Sequence, residues 1–433
     1  MTIANYSTYF ILIICLVLSI NKPKTAFLLL IATEFTRISN ILGVPRIFSP
    51  LFIEFILLFI IYFNLKKQIN FLTIVKQSKL LFLWVVIHML WRISQYLIYD
   101  DIIFLRLSGN MANFYFKILL FYLIAIHLLS MGNNFNKLTK YLTINLFFLV
   151  SFVYLEYFFY IEYGELYNTL IYYREGIARF RYSQRILYGP YEHWVLTGMV
   201  LVTYLPLLIY QFNKNINKTL LFITFLFITI LLLGSRSATF SAFCLVSIYL
   251  VTKFNYKKGI IMFLLLLITP YLLISFSEII NYYQQSFSFS ASSMNPGYNL
   301  TVRLYNTLLL IRNINTVPFF GFGYSIRPID NYNVGEMPIK SGDMESNLFI
   351  QDIYDFGIIV GCITLIWFFS CALTGLKQQK EYNYASTLTW FGILIAGMSN
   401  INFTFSVMLV PITFYSWEKS KLLQKKLYPN HHL

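Results

Sequence analysis

A single arginine stands in the stretch "GSRSA", residues 234–238, between the apolar runs "FITILLL" and "TFSAFCLVSIYL". Four more lie close together in "YGELYNTLIYYREGIARFRYSQRILYGP", residues 163–190: Arg174, Arg179, Arg181 and Arg185. A guanidinium is a planar fork that binds two phosphate oxygens at once, and it is less heavily hydrated than an ammonium. If residues 163–190 are helical, Arg174, Arg181 and Arg185 share one face, because offsets of 7 and 11 residues return near the same angle. Arg236 and that face together point to an anionic ligand, a phosphate or diphosphate.

Other groups with chemical potential are fewer. Glu175, Glu192, Asp343 and Glu345 are carboxylates in polar segments that could accept a proton, although each is also a natural salt-bridge partner. Tyr172, Tyr173, Tyr182, Tyr188 and Tyr191 could stack on sugar rings, or simply sit at a membrane boundary as tyrosines commonly do. His88 and His127 lie inside apolar runs, His431 and His432 in the tail, and only His193 sits near the arginine-bearing segments. The chain has no HExxH, no Walker A and no GxSxG motif. Asp100 and Asp101 are adjacent and do not form a spaced Asp-x-Asp metal pair, so no metal is expected. Cys15, Cys244, Cys362 and Cys371 all fall in apolar runs and read as inert buried thiols.

The elements that must carry these residues are hydrophobic. The chain has 433 residues, of which 58% are hydrophobic and 12% charged, about half the charged fraction of a soluble domain. Its mean hydropathy is +0.64. Runs of transmembrane length recur from end to end, so the expected fold class is an all-α polytopic membrane protein with about 12–14 transmembrane helices. The expected spans are 6–20, 25–41, 48–63, 80–99, 113–130, 141–162, 191–212, 219–234, 237–252, 259–276, 347–373, 386–401 and 403–417. With no basic residue before Lys22, residues 6–20 read as a retained span and not a signal peptide.

Charge type sorts the connections. Residues 21–24, 64–79, 131–140, 213–218, 253–258, 374–385 and the tail from 418 hold 19 of the 21 lysines and none of the 12 arginines. The positive-inside rule makes these seven segments cytoplasmic. All arginines are then external or intramembrane, as are 16 of the 18 acids, which keeps salt bridging as the competing explanation for them. The 33 residues from Thr219 to Val251 lie between the cytoplasmic Lys218 and Lys253. As one helix they would run roughly 50 Å, well beyond a ~30 Å hydrocarbon core, so the chain must turn at Gly234–Ser235 and hold Arg236 at the outer tip. The expected organisation is an N-terminal transmembrane bundle (1–162), an external Arg-rich loop (163–190), transmembrane helices with the Gly234–Arg236 hairpin (191–276), a large external loop (277–346), and C-terminal helices with a basic cytoplasmic tail (347–433). A cysteine placed at Ser292 is expected to react with an impermeant thiol reagent in whole cells. One at Asn215 is expected not to, and the reverse pattern would invert the orientation.

Several of these stretches resemble the O-antigen polymerase and O-antigen ligase superfamily of bacterial membrane glycosyltransferases. They are "GSRSA" at an external hairpin, a long loop passing through "PFFGFGYS", then "ESNLFIQDIYDFGIIVG" leading into a span, and the R-x-x-x-G-P run from Arg185 to Pro190. The resemblance covers roughly residues 170–375. Ligases of that family carry His-Asn where this chain has Ser346–Asn347, so the resemblance leans toward the polymerase. It implies a glycosyltransferase of the bacterial inner membrane with its active site at the periplasmic face. The donor would be a glycan on undecaprenyl diphosphate, and no cofactor, nucleotide sugar or nucleic acid would take part. Partners would be the undecaprenyl-diphosphate-linked oligosaccharides, the bilayer and a chain-length regulator protein. Carried onto this chain, Arg185, Arg236, Arg181, Arg174 and Arg303 hold the diphosphate, Glu345 and Asp343 are candidate bases, and Tyr188, Tyr191, Tyr324 and Asn347 contact glycan. A ligase acting on lipid A-core and a flippase for lipid-linked oligosaccharide are the alternatives. The absence of arginine from the cytoplasmic loops speaks against a site that must open to both sides.

Overall fold

The structure is a computed structural model. It describes residues 3–34, 50–65, 69–99, 102–130, 134–162, 180–181, 184–185, 187, 194–212, 215–253, 308, 311–312, 314–321, 332–334, 337–339, 348–377, 385–398 and 405–427. The chain is helical: α1 (Ile3–Asn21), α2 (Pro23–Ala32), α3 (Pro50–Asn64), α4 (Phe71–Gln77), α5 (Lys79–Tyr99), α6 (Ile102–Ser130), α7 (Phe135–Glu162), α8 (Trp194–Phe212), α9 (Ile216–Leu232), α10 (Arg236–Lys253), α11 (Leu348–Phe356), α12 (Ile358–Lys377), α13 (Ala385–Met398) and α14 (Phe405–Leu427). Two antiparallel hairpins accompany them, β1 (Phe180–Arg181) with β2 (Gln184–Arg185) and β3 (Tyr332–Val334) with β4 (Met337–Ile339).

Among the described residues, Phe135–Phe158 and Val195–Phe212 are each long and apolar enough to cross a membrane. A third candidate is the pair Phe71–Gln77 and Lys79–Trp91, bent by 95°. Other apolar helices of 10–17 residues surround them, from Thr8–Asn21 to Ala385–Ile395. This is a helical membrane-protein architecture. In lipid a helix satisfies its own backbone donors and acceptors, which is why apolar runs of this length adopt that form.

α8 is the hub. It packs against α7, α9, α10, α13 and α14. Met199, Val200, Leu201, Val202, Tyr204, Leu205, Leu207, Leu208 and Ile209 are all buried, so the helix is covered on every side. A helix apolar all round has no face to offer water and is driven to the centre. Pro206 in α8 and Pro411 in α14 sit within continuous helices. Outward residues such as Phe10, Phe59, Phe147, Leu221 and Ile366 are exposed, as a lipid-facing surface requires.

Helix ends beside the lysine-bearing connections are joined in pairs. Asn64 donates to the Ser19 carbonyl at 3.1 Å, and Gln424 donates to the Ser130 carbonyl at 3.1 Å. Asn215 caps α9 by accepting from Lys218 N at 3.1 Å, closing the short connection from α8. The interior also holds polar pairs. Glu54 of α3 pairs with Lys117 of α6, whose ammonium also lies 5.0 Å from the Phe405 ring centre. Ser406 at the start of α14 donates to Glu34 just beyond α2. Pairing of this kind offsets the several kcal/mol that an unmatched buried charge costs.

Several expectations need correcting. The span expected at 25–41 stops as an α-helix at Ala32. The expected connection 64–79 contains helix α4, and the chain turns sharply at Ser78, whose amide reaches back to the carbonyls of Ile74 and Val75. The long span expected at 347–373 is two helices, broken at Gly357, which takes φ +88°. Phe180–Arg181 and Gln184–Arg185 pair as antiparallel strands, Phe180 with Arg185 and Arg181 with Gln184, so the helical case considered for the 163–190 arginines does not apply at those positions. An antiparallel ladder advances with period two, and the 3.6-residue argument lapses. The expected span 259–276 lies outside the described residues.

Candidate functional site

The hairpin between α9 and α10 turns where the chain length requires it. Gly234 takes φ +67°, a left-handed conformation that suits glycine. Its amide donates to Leu231 O at 3.0 Å, ending α9. Ser235 then caps α10, its hydroxyl receiving the Ala238 amide at 3.4 Å. Arg236 is the first residue of α10 and is half-buried. The first turn of a helix carries the positive end of the dipole, so Arg236 and the backbone favour an anion at the same place. The tip is pressed against α8: a Cβ on Gly198 would lie 2.7 Å from the Ala238 Cβ and 3.1 Å from that of Ser235.

Of the other predicted diphosphate ligands, Arg181 and Arg185 are placed by backbone in the β1–β2 ribbon. Two residues on, Leu187 is buried in the bundle core, which ties that segment to the helices. Arg174 and Arg303, the candidate bases Asp343 and Glu345, and Tyr188, Tyr191, Tyr324 and Asn347 lie outside the described residues.

The structure also joins two motifs that the sequence kept apart. In "PFFGFGYS", Gly321 takes φ +74°, and a Cβ there would fall 2.5 Å from the carbonyl carbon and oxygen of Asp355. In "IYDFGIIVG", a Cβ on Gly357 would fall 2.1 Å from the Phe319 carbonyl oxygen. The segment 318–321 is therefore seated backbone to backbone on the α11–α12 elbow. Trp91 of α5 packs on the rings of Phe319 and Phe320, at centroid distances of 5.7 and 5.3 Å.

Beside that elbow is a polar network that sequence reasoning missed. Thr364 of α12 donates to Asp352 Oδ2 of α11 at 2.8 Å and receives the Trp84 indole N–H at 3.1 Å. His88 Nε2 lies 3.5 Å from the same Asp352 oxygen and 3.4 Å from the Thr364 hydroxyl. His88 Nδ1 is 2.8 Å from the Trp84 carbonyl. A carbonyl only accepts, so Nδ1 carries a proton. The imidazole is fully buried among Trp84, Tyr115 and Phe356, with the Tyr115 ring at 4.5 Å and the Phe356 ring at 4.9 Å, whereas the Asp352 side chain keeps 13% of its surface exposed. Trp84 in turn stacks on Trp367 at 4.2 Å. One signal pointed here: an ionisable side chain inside an apolar span carries a desolvation cost that ordinary packing does not repay, and His88 is one.

Compared with known protein families, curated proteins and solved structures, the chain matches none.

Proposed function

We propose that this protein is an O-antigen polymerase: a bacterial inner-membrane glycosyltransferase of about 12–14 spans that joins undecaprenyl-diphosphate-linked repeat units at the periplasmic face. The observation that carries the reading is Arg236 at the first position of α10, behind a left-handed glycine. A lipid diphosphate has its head group at the membrane boundary and its tail between helices, and this position suits both parts.

In the reaction, a hydroxyl of one repeat unit attacks the anomeric carbon of the glycan on the donor lipid. The bond from that carbon to the diphosphate oxygen breaks, and the electron pair leaves with undecaprenyl diphosphate. Negative charge grows on the leaving oxygen, and a guanidinium fork and helix N-terminus fixed in a site of reduced dielectric stabilise it more in the transition state than in the ground state. Arg185 and Arg181, on the ribbon tied to the core through Leu187, are the proposed further ligands, with Arg174 and Arg303 completing the set. Tyr188, Tyr191, Tyr324 and Asn347 are proposed to line the glycan path.

The lipopolysaccharide of a strain lacking the gene tests this reading. A core bearing a single repeat unit is the expected result. A bare core with lipid-linked polymer accumulating would identify a ligase, and single lipid-linked units trapped on the cytoplasmic side would identify a flippase.

A further inference from the structure

From the network at the α11–α12 elbow, and resting on the polymerase reading, we infer that the Asp352 carboxylate is the base that takes the proton from the acceptor sugar hydroxyl. His88 and Thr364 act as the residues that position it. The sugar oxygen forms the new bond to the anomeric carbon, its proton passes to Asp352, and undecaprenyl diphosphate leaves with the electron pair of the broken bond.

Proton logic selects Asp352. With Nδ1 of His88 donating to the Trp84 carbonyl, Nε2 faces the Asp352 oxygen at 3.5 Å. The Asp352 oxygen is thus held from two sides, by the His88 ring and by the Thr364 hydroxyl. The Thr364 hydroxyl, itself held by Trp84, fixes Oδ2. The partly exposed Asp352 is left to meet substrate, while the buried His88 is not. α13 packs against both α11 and α10, so the element carrying Asp352 and the element carrying Arg236 share a neighbour. Among the described residues, the other titratable groups on the helices packed here include Tyr115 on α6 and Tyr354 and Asp355 on α11, and the described part of α13 brings none.

The test uses the full-length protein in lipid vesicles, supplied with lipid-diphosphate-linked repeat units extracted from a strain lacking the gene. Joining rate is followed against pH. Asp352→Asn should slow joining by about 100-fold or more, in the range a lost general base produces, with donor retention unchanged, and Asp352→Glu should recover part of the rate. His88→Gln and Thr364→Val should keep the base but displace the acid limb of the pH profile. If Asp352→Asn fails to fold, a displaced acid limb in folded Thr364→Val still supports the inference, and a wild-type profile in that variant overturns it. A folded Asp352→Asn within about threefold of wild type, with the same profile, overturns it and leaves the polymerase reading standing. If wild type joins no units, the polymerase reading falls and takes this inference with it.

Discussion

Gly357→Ala is expected to destabilise the folded protein by roughly 2–6 kcal/mol, combining left-handed strain with forced overpacking. The added Cβ would sit 2.1 Å from the Phe319 carbonyl oxygen, and its backbone is held at φ +88°. Neither conflict can be relieved by a side-chain rotation, because the obstacle is backbone and the dihedral is set by the elbow itself. Against a total stability of about 5–15 kcal/mol, the loss is large enough to lower the yield of folded protein. Gly392→Ala is the matched control. Its Cβ would meet the Leu245 Cδ1 at 2.9 Å, the far end of a flexible side chain, and the site is helical. Its effect should stay below about 1.5 kcal/mol. Thermal unfolding of the two variants in detergent distinguishes them. Equal melting temperatures for Gly357→Ala and wild type would mean that segment 318–321 does not rest on the elbow as described.

Arg236→Lys is expected to cut polymerisation by about 100-fold while expression and membrane insertion stay normal, the loss being that of a bidentate donor aimed at a leaving group. Lysine keeps the positive charge and can extend to a membrane surface as well as arginine does. An arginine that only anchored the hairpin would therefore be replaceable. One that grips a diphosphate would not, because a point charge cannot reproduce two parallel hydrogen bonds. Arg236→Ala removes both features and should be at least as inactive. Full-length surface polymer at the wild-type rate from the Lys variant would remove Arg236 from the mechanism and leave the anchoring role.

Much of the architecture was legible because membrane helices are written in length and hydropathy. The turn at Gly234–Ser235 could be located from a 33-residue apolar run with lysines at both ends, and the two helices that flank it, Ile216–Leu232 and Arg236–Lys253, follow. Helix breaks inside apolar runs were not legible. Gly357 looks like any glycine in "YDFGIIVG" until Phe319 is placed against it, and Ser78 ends a helix, Phe71–Gln77, inside a stretch read as a connection. The arginines of residues 163–190 were read with a helical period, which a two-residue ribbon does not follow.

The candidate site divides in the same way. The place of Arg236 at the hairpin tip could be read from its own neighbours. The His88–Asp352–Thr364 network could not, since His88 and Thr364 are 276 positions apart and each is a lone polar residue in its own run. Only the packing of α5 against α11 and α12 brings them together. Asp343 and Glu345 were read as bases because they lie in polar sequence, and they lie outside the described residues. Asp352 drew no such reading, since its partners His88 and Thr364 are visible only in the fold.

The most direct test of the account is reconstitution. Purified protein in lipid vesicles would be given repeat units linked to undecaprenyl diphosphate and no nucleotide sugar, and the products sized after mild acid release from the lipid. The account predicts glycans of two or more repeat units, with one undecaprenyl diphosphate freed for each new linkage. Repeat units recovered unchanged from vesicles that hold correctly folded, correctly oriented protein would contradict it.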